Sequence, residues 1–476
     1  MKRSSQWPIC VGLSACVIGA VGCRSVGPDY HGPPQSAVLN APAAHGPFLS
    51  SSDAAFSEEL APSEWWRLYD SAQLDALVSA ALVANIDLRM AQANLERSAA
   101  LLREARAARQ PTAEVNLDPS FQQLSPESYL HSGPVPATGL YDTGVSVSYE
   151  LDLFGRLKRG VEAATADQEA VRAAYDLTKI TVAAETTRAY ADVCNAGEEL
   201  EVTRRSLQLQ VQSTETTRRL VEAGRNSTLD LTRSSGQVAQ VRANLPALEA
   251  QRMNALYRLA ALIGKPPAEY PRSVEACATA PHLQQPLPIG DATALLRRRP
   301  DVREAERGLA AATARIGVAT ADLYPRVTLG ASAGSTGATE DFLTTPTNRF
   351  GVGLAIHWQA NQSLARARIA QASTAEKLVL ARFDGVVLTA LRDAESALTT
   401  YSRDLQRDNY LTIAQARAWE AEQQAKRLYV GGKIDFLAML DAQRTLASAD
   451  DAVASSHSRL ATDQVAIFLA LGGGWE

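Results

Sequence analysis

Small and apolar residues recur every three or four positions in two long stretches of the chain, from Ala163 to Ala184 and from Ala375 to Tyr401. This spacing predicts helices packed along a coiled-coil seam. The regions 137–245 and 347–476 contain no proline, which permits long helices. Roughly 40 helical residues extend about 60 Å, so the pattern favours an elongated molecule. We predict turns near 195–197 and near Ser402, where the helices would fold back as hairpins.

Four shorter segments instead alternate apolar and polar residues with a period of two. They are residues 113–122, 143–153, 326–334 and 350–359. This alternation predicts strands with one apolar face and one polar face, and about ten residues is the length of a tilted outer-membrane strand. The alternative is a pair of ordinary hairpins packed on a soluble core. The sequence therefore predicts a mixed fold that is mainly α.

The sequence contains an internal duplication of one structural unit. Asp87 pairs with Asp301 and Pro111 with Pro325, both 214 positions apart, and Gly224 pairs with Gly432 at 208. We predict a first repeat at 68–264 and a second at 289–472, joined by a proline-rich connector at 265–288 and followed by a tail at 473–476. In this scheme Gly224 and Gly432 mark breaks within the long helices.

The N-terminus has the organisation of a bacterial lipoprotein signal. Positive charges at positions 2 and 3 precede an apolar stretch and small residues before Cys23. We predict a signal peptide at 1–22, acylation of Cys23 and a lipid-anchored extended segment at 23–67. Arg24 replaces the Asp that commonly retains such proteins in the inner membrane, so we expect the outer membrane. Cys194 and Cys277 remain in the mature chain, and we interpret them as two buried or idle unpaired thiols in preference to a disulfide or a zinc site.

Membrane strands must form a closed barrel, because unpaired strand edges are not tolerated in lipid. A barrel needs about eight strands or more, and one chain supplies four. Several chains would therefore share one barrel. A dimer gives eight strands and a trimer twelve, and the strand count does not decide between them. The side chains predicted to face the lumen are Ser146, Ser148, Thr328 and His357.

Composition narrows the possible chemistry. The formal charge of -5 argues against a nucleic-acid partner. The six histidines are scattered without an HExxH motif, and no phosphate-binding glycine loop occurs. We expect no enzyme activity, no metal and no cofactor.

Several motifs in order resemble the lipoprotein branch of the TolC-type outer-membrane efflux factors. They are VGPDY at 26–30, YELDLFGR at 149–156, RRPDV at 298–302, residues 432–444 and ALGGGW at 470–475. The resemblance implies a homotrimer with a 12-stranded β-barrel and a 12-helix periplasmic tunnel, or α-barrel. It also implies a periplasmic adaptor protein, an inner-membrane pump of the RND type and outer-membrane lipid as partners.

The resemblance implies a passive exit duct for drugs or other small toxic compounds, controlled at its periplasmic end. Polar residues near the two predicted helix turns are candidates for this gate. They are Asp192, Glu198, Glu199, Tyr401, Arg403, Asp404 and Asp408. Two other functions remain open: a channel for type I protein secretion, and a poreless lipid-anchored coiled-coil envelope protein.

Overall fold

The computed structural model describes residues 25–33, 36–123, 125–129, 132–279, 281–283 and 286–473. The predicted signal peptide and Cys23 lie outside the described residues. The described chain forms two compact units. The strand unit includes 96–170 and 306–382 together with the N-terminal segment, and the helix unit includes 35–95, 171–305 and 383–476.

The two halves of the chain contain the same elements in the same order, which agrees with a mixed, mainly α fold. In the first half these elements are α1 (Ala72–Ala84), α2 (Ile86–Ala107), β1 (Thr112–Gln122), β2 (Thr138–Leu151), α3 (Arg156–Glu222) and α4 (Thr228–Leu262). In the second half they are α5 (Ala292–Arg298), α6 (Pro300–Ala321), β3 (Arg326–Ala338), β4 (Asn348–His357), α7 (Ser363–Val430) and α8 (Phe436–Ala470). Helices α2 and α6 both have 22 residues, and α4 and α8 both have 35.

The four long strands form one antiparallel sheet in the order β1, β2, β3, β4. β2 begins five residues before the sequence-based boundary of 143, and β3 ends four residues after 334. The extensions read TGLYD at 138–142 and STGA at 335–338, which are mixed or small-residue segments without the regular apolar alternation that marks a strand. A separate two-residue parallel pairing joins Phe56–Ser57 to Leu287–Pro288 in the helix unit.

The predicted turns near 195–197 and near Ser402 are wrong. Helix α3 runs through the first site without interruption, and α7 runs through the second. The helices turn back at 223–227 and 431–435, where Gly224 and Gly432 adopt φ values of 66° and 67°. This left-handed conformation suits glycine and ends a helix. Ser227 and Asp230 then cap the start of α4 with a reciprocal capping box.

Gly197 has another role inside α3. A Cβ atom built on Gly197 would lie 2.0 Å from the carbonyl oxygen of Cys277. Glycine is therefore required at this position by the close approach of the connector backbone.

The interpretation of Cys194 and Cys277 as unpaired thiols is also wrong. The two residues form a disulfide, with Cα atoms 4.7 Å apart. Cys194 is fully buried on α3, and the connector between the repeats folds back against that helix. Tertiary folding thus brings together two cysteines that are 83 positions apart in the sequence.

The core of the helix unit is built around Trp65, which is fully buried and stacks on Phe468 with ring centroids 4.7 Å apart. Leu256 of α4, Phe383 of α7 and Val465 of α8 belong to the same apolar cluster. This cluster fixes the helices near Cys194. Within the part of the chain that the structure describes, no helix is long and apolar enough to cross a lipid bilayer.

Candidate functional site

The four-stranded sheet has one polar and one apolar face. Residues that pair directly across antiparallel strands project from the same face. Ser146 lies opposite Glu114 and Ser332, and Ser148 lies opposite Thr112 and Gly330. Thr328 lies opposite Glu150 and Ala355, and His357 lies opposite Arg326. The register therefore places Ser146, Ser148, Thr328 and His357 on one common polar face.

The opposite face is apolar and exposed. The exposed fraction of Phe350 is 91%, and that of Val352 is 78%. Other large apolar residues on this face that are classed as exposed are Val115, Leu117, Phe121, Val145, Val147, Leu329, Leu354 and Ile356. A continuous band of this size is typical of a surface that contacts lipid or another protein.

The outer strands of the sheet are β1 and β4. In an antiparallel order of four, these two strands run in opposite directions. Each has one side without a strand partner among the described residues. Such edges leave rows of backbone N–H and C=O groups free to pair with another chain.

The segment after the predicted acylation site is bound to the strand unit. The Val26 backbone N–H donates to the Phe154 carbonyl (3.1 Å). Arg159, whose side chain is only 4% exposed, donates to the Val26 carbonyl (3.1 Å) and to Asp29 (2.6 Å). Gly27 fits closely against Gly317, where a Cβ atom on Gly27 would lie 2.4 Å from the Gly317 Cα.

Most of the seven gate candidates lie in a cluster of titratable groups inside the helix unit. His457 Nδ1 lies 3.1 Å from Glu198 Oε1, and Nε2 lies 3.8 Å from Asp408, which is too far for a hydrogen bond. The hydrogen bond with Glu198, and then the charges of Glu198 and Asp408, raise the pKa of His457. These contacts link α3, α7 and α8.

A second pair in this region consists of two carboxyl groups. Burial, followed by a hydrogen bond with Asp404 and its charge, raises the pKa of Asp463 to about 7. Tyr401 is buried, and its hydroxyl accepts a hydrogen bond from Gln464 (3.1 Å). Arg403 contacts Gln406 (2.9 Å) on its own helix.

The two remaining candidates, Asp192 and Glu199, project from α3 into a separate polar crevice. Asp192 forms an ion pair with Arg258 of α4. Burial and the charges of Asp451 and Glu198 raise the pKa of Glu199. All seven candidates thus lie within long helices and not at turns. Their assignment as gate residues stays a prediction, and the predicted turns on which it was based are absent from the described helices.

The helix turns contain a contact that sequence reasoning missed. Asn226 Nδ2 donates a 2.7 Å hydrogen bond to the Tyr429 hydroxyl and so joins the turn after α3 to the end of α7. Tyr429 also packs against Phe436, and Ile434 packs against the same apolar cluster. The equivalent glycines Gly224 and Gly432 were the sequence signal for these turns. No group of acidic, histidine or cysteine residues suited to a metal occurs among the described residues.

A sheet with one exposed apolar face, combined with long helical hairpins in two copies, is the construction of an outer-membrane channel subunit. Residues 77–265 and 292–473 match the family described as Outer membrane efflux protein. The chain therefore belongs to the outer membrane efflux protein family.

Similar proteins cover nearly the whole chain. The pyoverdine export outer membrane protein OpmQ of Pseudomonas putida is 31% identical, over 90% of this chain and 91% of that protein. The antibiotic efflux pump outer membrane protein ArpC of Pseudomonas putida is 29% identical, over 97% and 94% respectively. The solved structure of the outer-membrane channel OprN has a TM-score of 0.87 and 33% identity, with 94% of this chain and 99% of that chain covered. The expectation of an outer-membrane efflux protein is confirmed.

Proposed function

We propose that three copies of this chain form a passive duct through the outer membrane. The observation that carries this proposal is the antiparallel sheet, with its exposed apolar face and two edges that have no strand partner among the described residues. Because β1 and β4 run in opposite directions, β4 of one copy can pair antiparallel with β1 of the next. Three copies then close twelve strands, which encloses a wider lumen than the eight strands of a dimer.

The test of assembly is the protein mass of the detergent-extracted particle, measured by light scattering with correction for bound detergent. We expect three chains per particle and ion conductance in planar bilayers. A stable monomer without conductance would contradict the duct and would favour a poreless lipid-anchored envelope protein.

In the proposed barrel, Ser146, Ser148, Thr328 and His357 face the water-filled lumen. Neighbouring residues on β2 provide a matched test, because Ser146 and Val147 project from opposite faces. We expect Ser146→Cys to react with a water-soluble thiol reagent and to lose conductance on labelling. Val147→Cys should react slowly and retain its conductance. Equal reaction at both positions would contradict the assignment of faces.

The proposed cargo is a drug or another small toxic compound, delivered by an inner-membrane pump of the RND type through a periplasmic adaptor. Two relatives are named for antibiotic efflux and pyoverdine export, and these names support small-molecule cargo over protein secretion. Deletion of the gene should increase intracellular accumulation of a fluorescent drug, and plasmid expression should reverse it. Loss of a secreted protein, with unchanged drug accumulation, would favour type I secretion.

The proposal includes acylation of Cys23 as the lipid anchor. It is supported by the position of Val26, which lies three residues after Cys23 and whose carbonyl contacts Arg159. Mass spectrometry of the mature N-terminal peptide tests the anchor. We expect an acylated Cys23, and a Cys23→Ser variant should lack the lipid.

We place the control point of the duct at the helix turns 223–227 and 431–435. The support is the hydrogen bond between Asn226 and Tyr429, which ties the turn after α3 to the end of α7 within one chain. The duct would perform no bond chemistry, so energy for transport would come from the pump.

A further inference from the structure

One imidazole ring lies between two carboxylates that belong to two other helices. His457 of α8 places Nδ1 3.1 Å from Glu198 of α3, and Nε2 3.8 Å from Asp408 of α7. We call these three residues the histidine cluster. All three side chains are partly buried, so their charges interact more strongly than they would in water. Three long helices therefore meet at a single titratable group.

One oxygen of the histidine cluster has no hydrogen-bond partner. Asp408 Oδ1 is buried and unpaired within the part of the chain that the structure describes, and it is the oxygen that faces His457 Nε2. A neutral imidazole has one N–H. If that N–H donates to Glu198, Nε2 turns a lone pair toward the negative oxygen of Asp408. The protonated ring instead directs an N–H toward each carboxylate, so the arrangement suits the imidazolium.

The histidine cluster also has space in which to rearrange. Its three side chains line a cavity of about 350 Å³. Apolar residues such as Leu405 of α7 and Leu460 of α8 form part of the wall, together with Leu283 of the connector. A side chain beside an open space can change its rotamer without displacing close-packed neighbours. The imidazole can therefore turn away from the carboxylates when it loses its charge.

Two other titratable sites lie close to the histidine cluster. His282 of the connector lines the same cavity. The carboxyl pair of Asp404 on α7 and Asp463 on α8 lies nearby, and the pKa of Asp463 is raised to about 7. A test of His457 must therefore separate its titration from both of these sites.

We propose that His457 is a pH-sensitive switch that joins α3, α7 and α8 when its ring is protonated and releases them when the ring is neutral. In the protonated state the imidazolium donates to Glu198 and attracts Asp408. In the neutral state two carboxylates repel each other with no cation between them, and Asp408 Oδ1 stays unpaired. The switch lies within the helix unit, and its operation does not depend on the proposed duct function.

The pH range of the switch follows from the electrostatics. The hydrogen bond with Glu198, and the charges of Glu198 and Asp408, outweigh burial and raise the pKa of His457 above its ordinary value of 6.5. The stabilising contribution is fully present below about pH 6.5 and is lost as pH rises through the folded-state pKa. The helices should therefore be joined at low pH and released at high pH.

The test is amide hydrogen exchange of the full-length protein in detergent from about pH 6 to about pH 9, corrected for the intrinsic exchange rate. An Asp463→Asn background removes the titration of the carboxyl pair. We expect exchange at 195–201, 405–411 and 454–460 to become about tenfold faster above the transition, the effect of losing a hydrogen bond to a charged group. Exchange at 228–240, at the start of α4, should not change. No transition in the first three segments would overturn the proposal.

Variants of the two histidines identify the titrating group. His457→Gln is neutral at every pH, so its exchange rates should be independent of pH in this range. His282→Gln is the matched control, because His282 lines the same cavity, and it should keep the transition. A transition that persists in His457→Gln, or that disappears in His282→Gln, would place the switch elsewhere and overturn the proposal.

The carboxylates provide a second test that stays decisive if His457→Gln folds poorly. Glu198→Gln and Asp408→Asn each remove a negative charge beside the ring, so each should move the midpoint of the transition to lower pH. Glu201→Gln is the control for charge, since Glu201 is exposed on α3 and does not line the cavity. An unchanged midpoint in both Glu198→Gln and Asp408→Asn would show that the histidine cluster does not set the transition.

Discussion

The Tyr429 hydroxyl accepts a 2.7 Å hydrogen bond from Asn226 and thereby ties the turn after α3 to the end of α7. The two residues are 203 positions apart in the sequence. Asn226 lies two positions after Gly224, and Tyr429 lies three positions before Gly432. The hydrogen bond therefore connects the first turn to the helix end that leads into the second.

We predict that Tyr429→Phe loosens both turns. The substitution retains the ring packing against Phe436 and removes a hydrogen bond with a net contribution of about 1 kcal/mol. Amide hydrogen exchange at 223–227 and 431–435 should become about fivefold faster. Tyr410→Phe is the control, because Tyr410 is 72% exposed on the same helix. Equal exchange in wild type and Tyr429→Phe would show that the bond does not hold the turns.

We predict that the disulfide stabilises the helix unit. Replacing both Cys194 and Cys277 with Ala should lower the free energy of unfolding by about 2–4 kcal/mol, the range typical of a native disulfide that closes a long loop. Guanidinium unfolding with and without reductant measures this effect. Reductant should destabilise the wild type and leave the double variant unchanged. A wild type insensitive to reductant would contradict the prediction, provided that thiol labelling shows complete reduction.

Asp463 gives a prediction about pH. Its pKa is raised from 3.8 to about 7, so the folded protein holds a proton that the unfolded chain releases. This contribution to stability is fully present below about pH 4 and is lost as pH rises through about 7. Asn at this position stays neutral and can donate to Asp404. We therefore expect Asp463→Asn to be more stable than wild type at pH 8, by about 1 kcal/mol after allowance for solvent screening.

Chemical unfolding of wild type and Asp463→Asn checks this expectation. The measurements run from about pH 4 to about pH 8, because the pKa of Asp463 rises from 3.8 to about 7 on folding. The variant should show the flatter pH profile. Asp441→Asn, an exposed change of the same kind on α8, controls for the loss of a negative charge. Parallel pH profiles for Asp463→Asn and wild type would refute a proton held by the carboxyl pair.

Arg159 should hold the N-terminal segment in place. Arg159→Lys keeps the positive charge, but one ammonium group cannot reproduce the contacts with the Val26 carbonyl, Asp29 and Glu162. We expect a loss of about 1–3 kcal/mol and faster proteolysis of 25–33. Arg368→Lys is the matched control, because Arg368 makes an exposed ion pair with Asp322. Unchanged proteolysis of Arg159→Lys would show that other contacts bind the segment.

The sequence predicted the faces of the strands well, because alternation reports directly on the two sides of a sheet. Ser146 and His357 fell on the common polar face for this reason. Helix turns were harder to place, since glycine serves two purposes in these helices. Gly224 ends a helix through a positive φ, whereas Gly197 lies inside a helix and makes room for the Cys277 carbonyl.

The disulfide and the histidine cluster could not be read from the sequence. Both depend on which helix faces meet after folding. Cys277 lies in an irregular connector whose path has no periodic signal, so the sequence does not predict its approach to Cys194. His457 resembles any polar residue of a helix until the carboxylates of Glu198 and Asp408 are known to face it.

The hydrogen bond between Val26 and Phe154 limits how far the predicted lipid anchor at Cys23 can lie from the strand unit. Val26 is only three positions after Cys23, and three residues of extended chain reach about 10 Å at most. An acyl chain on Cys23 would have to enter the bilayer within this distance of the start of α3. The anchor would then fix the position of the strands along the membrane normal, in addition to retaining the protein in the membrane.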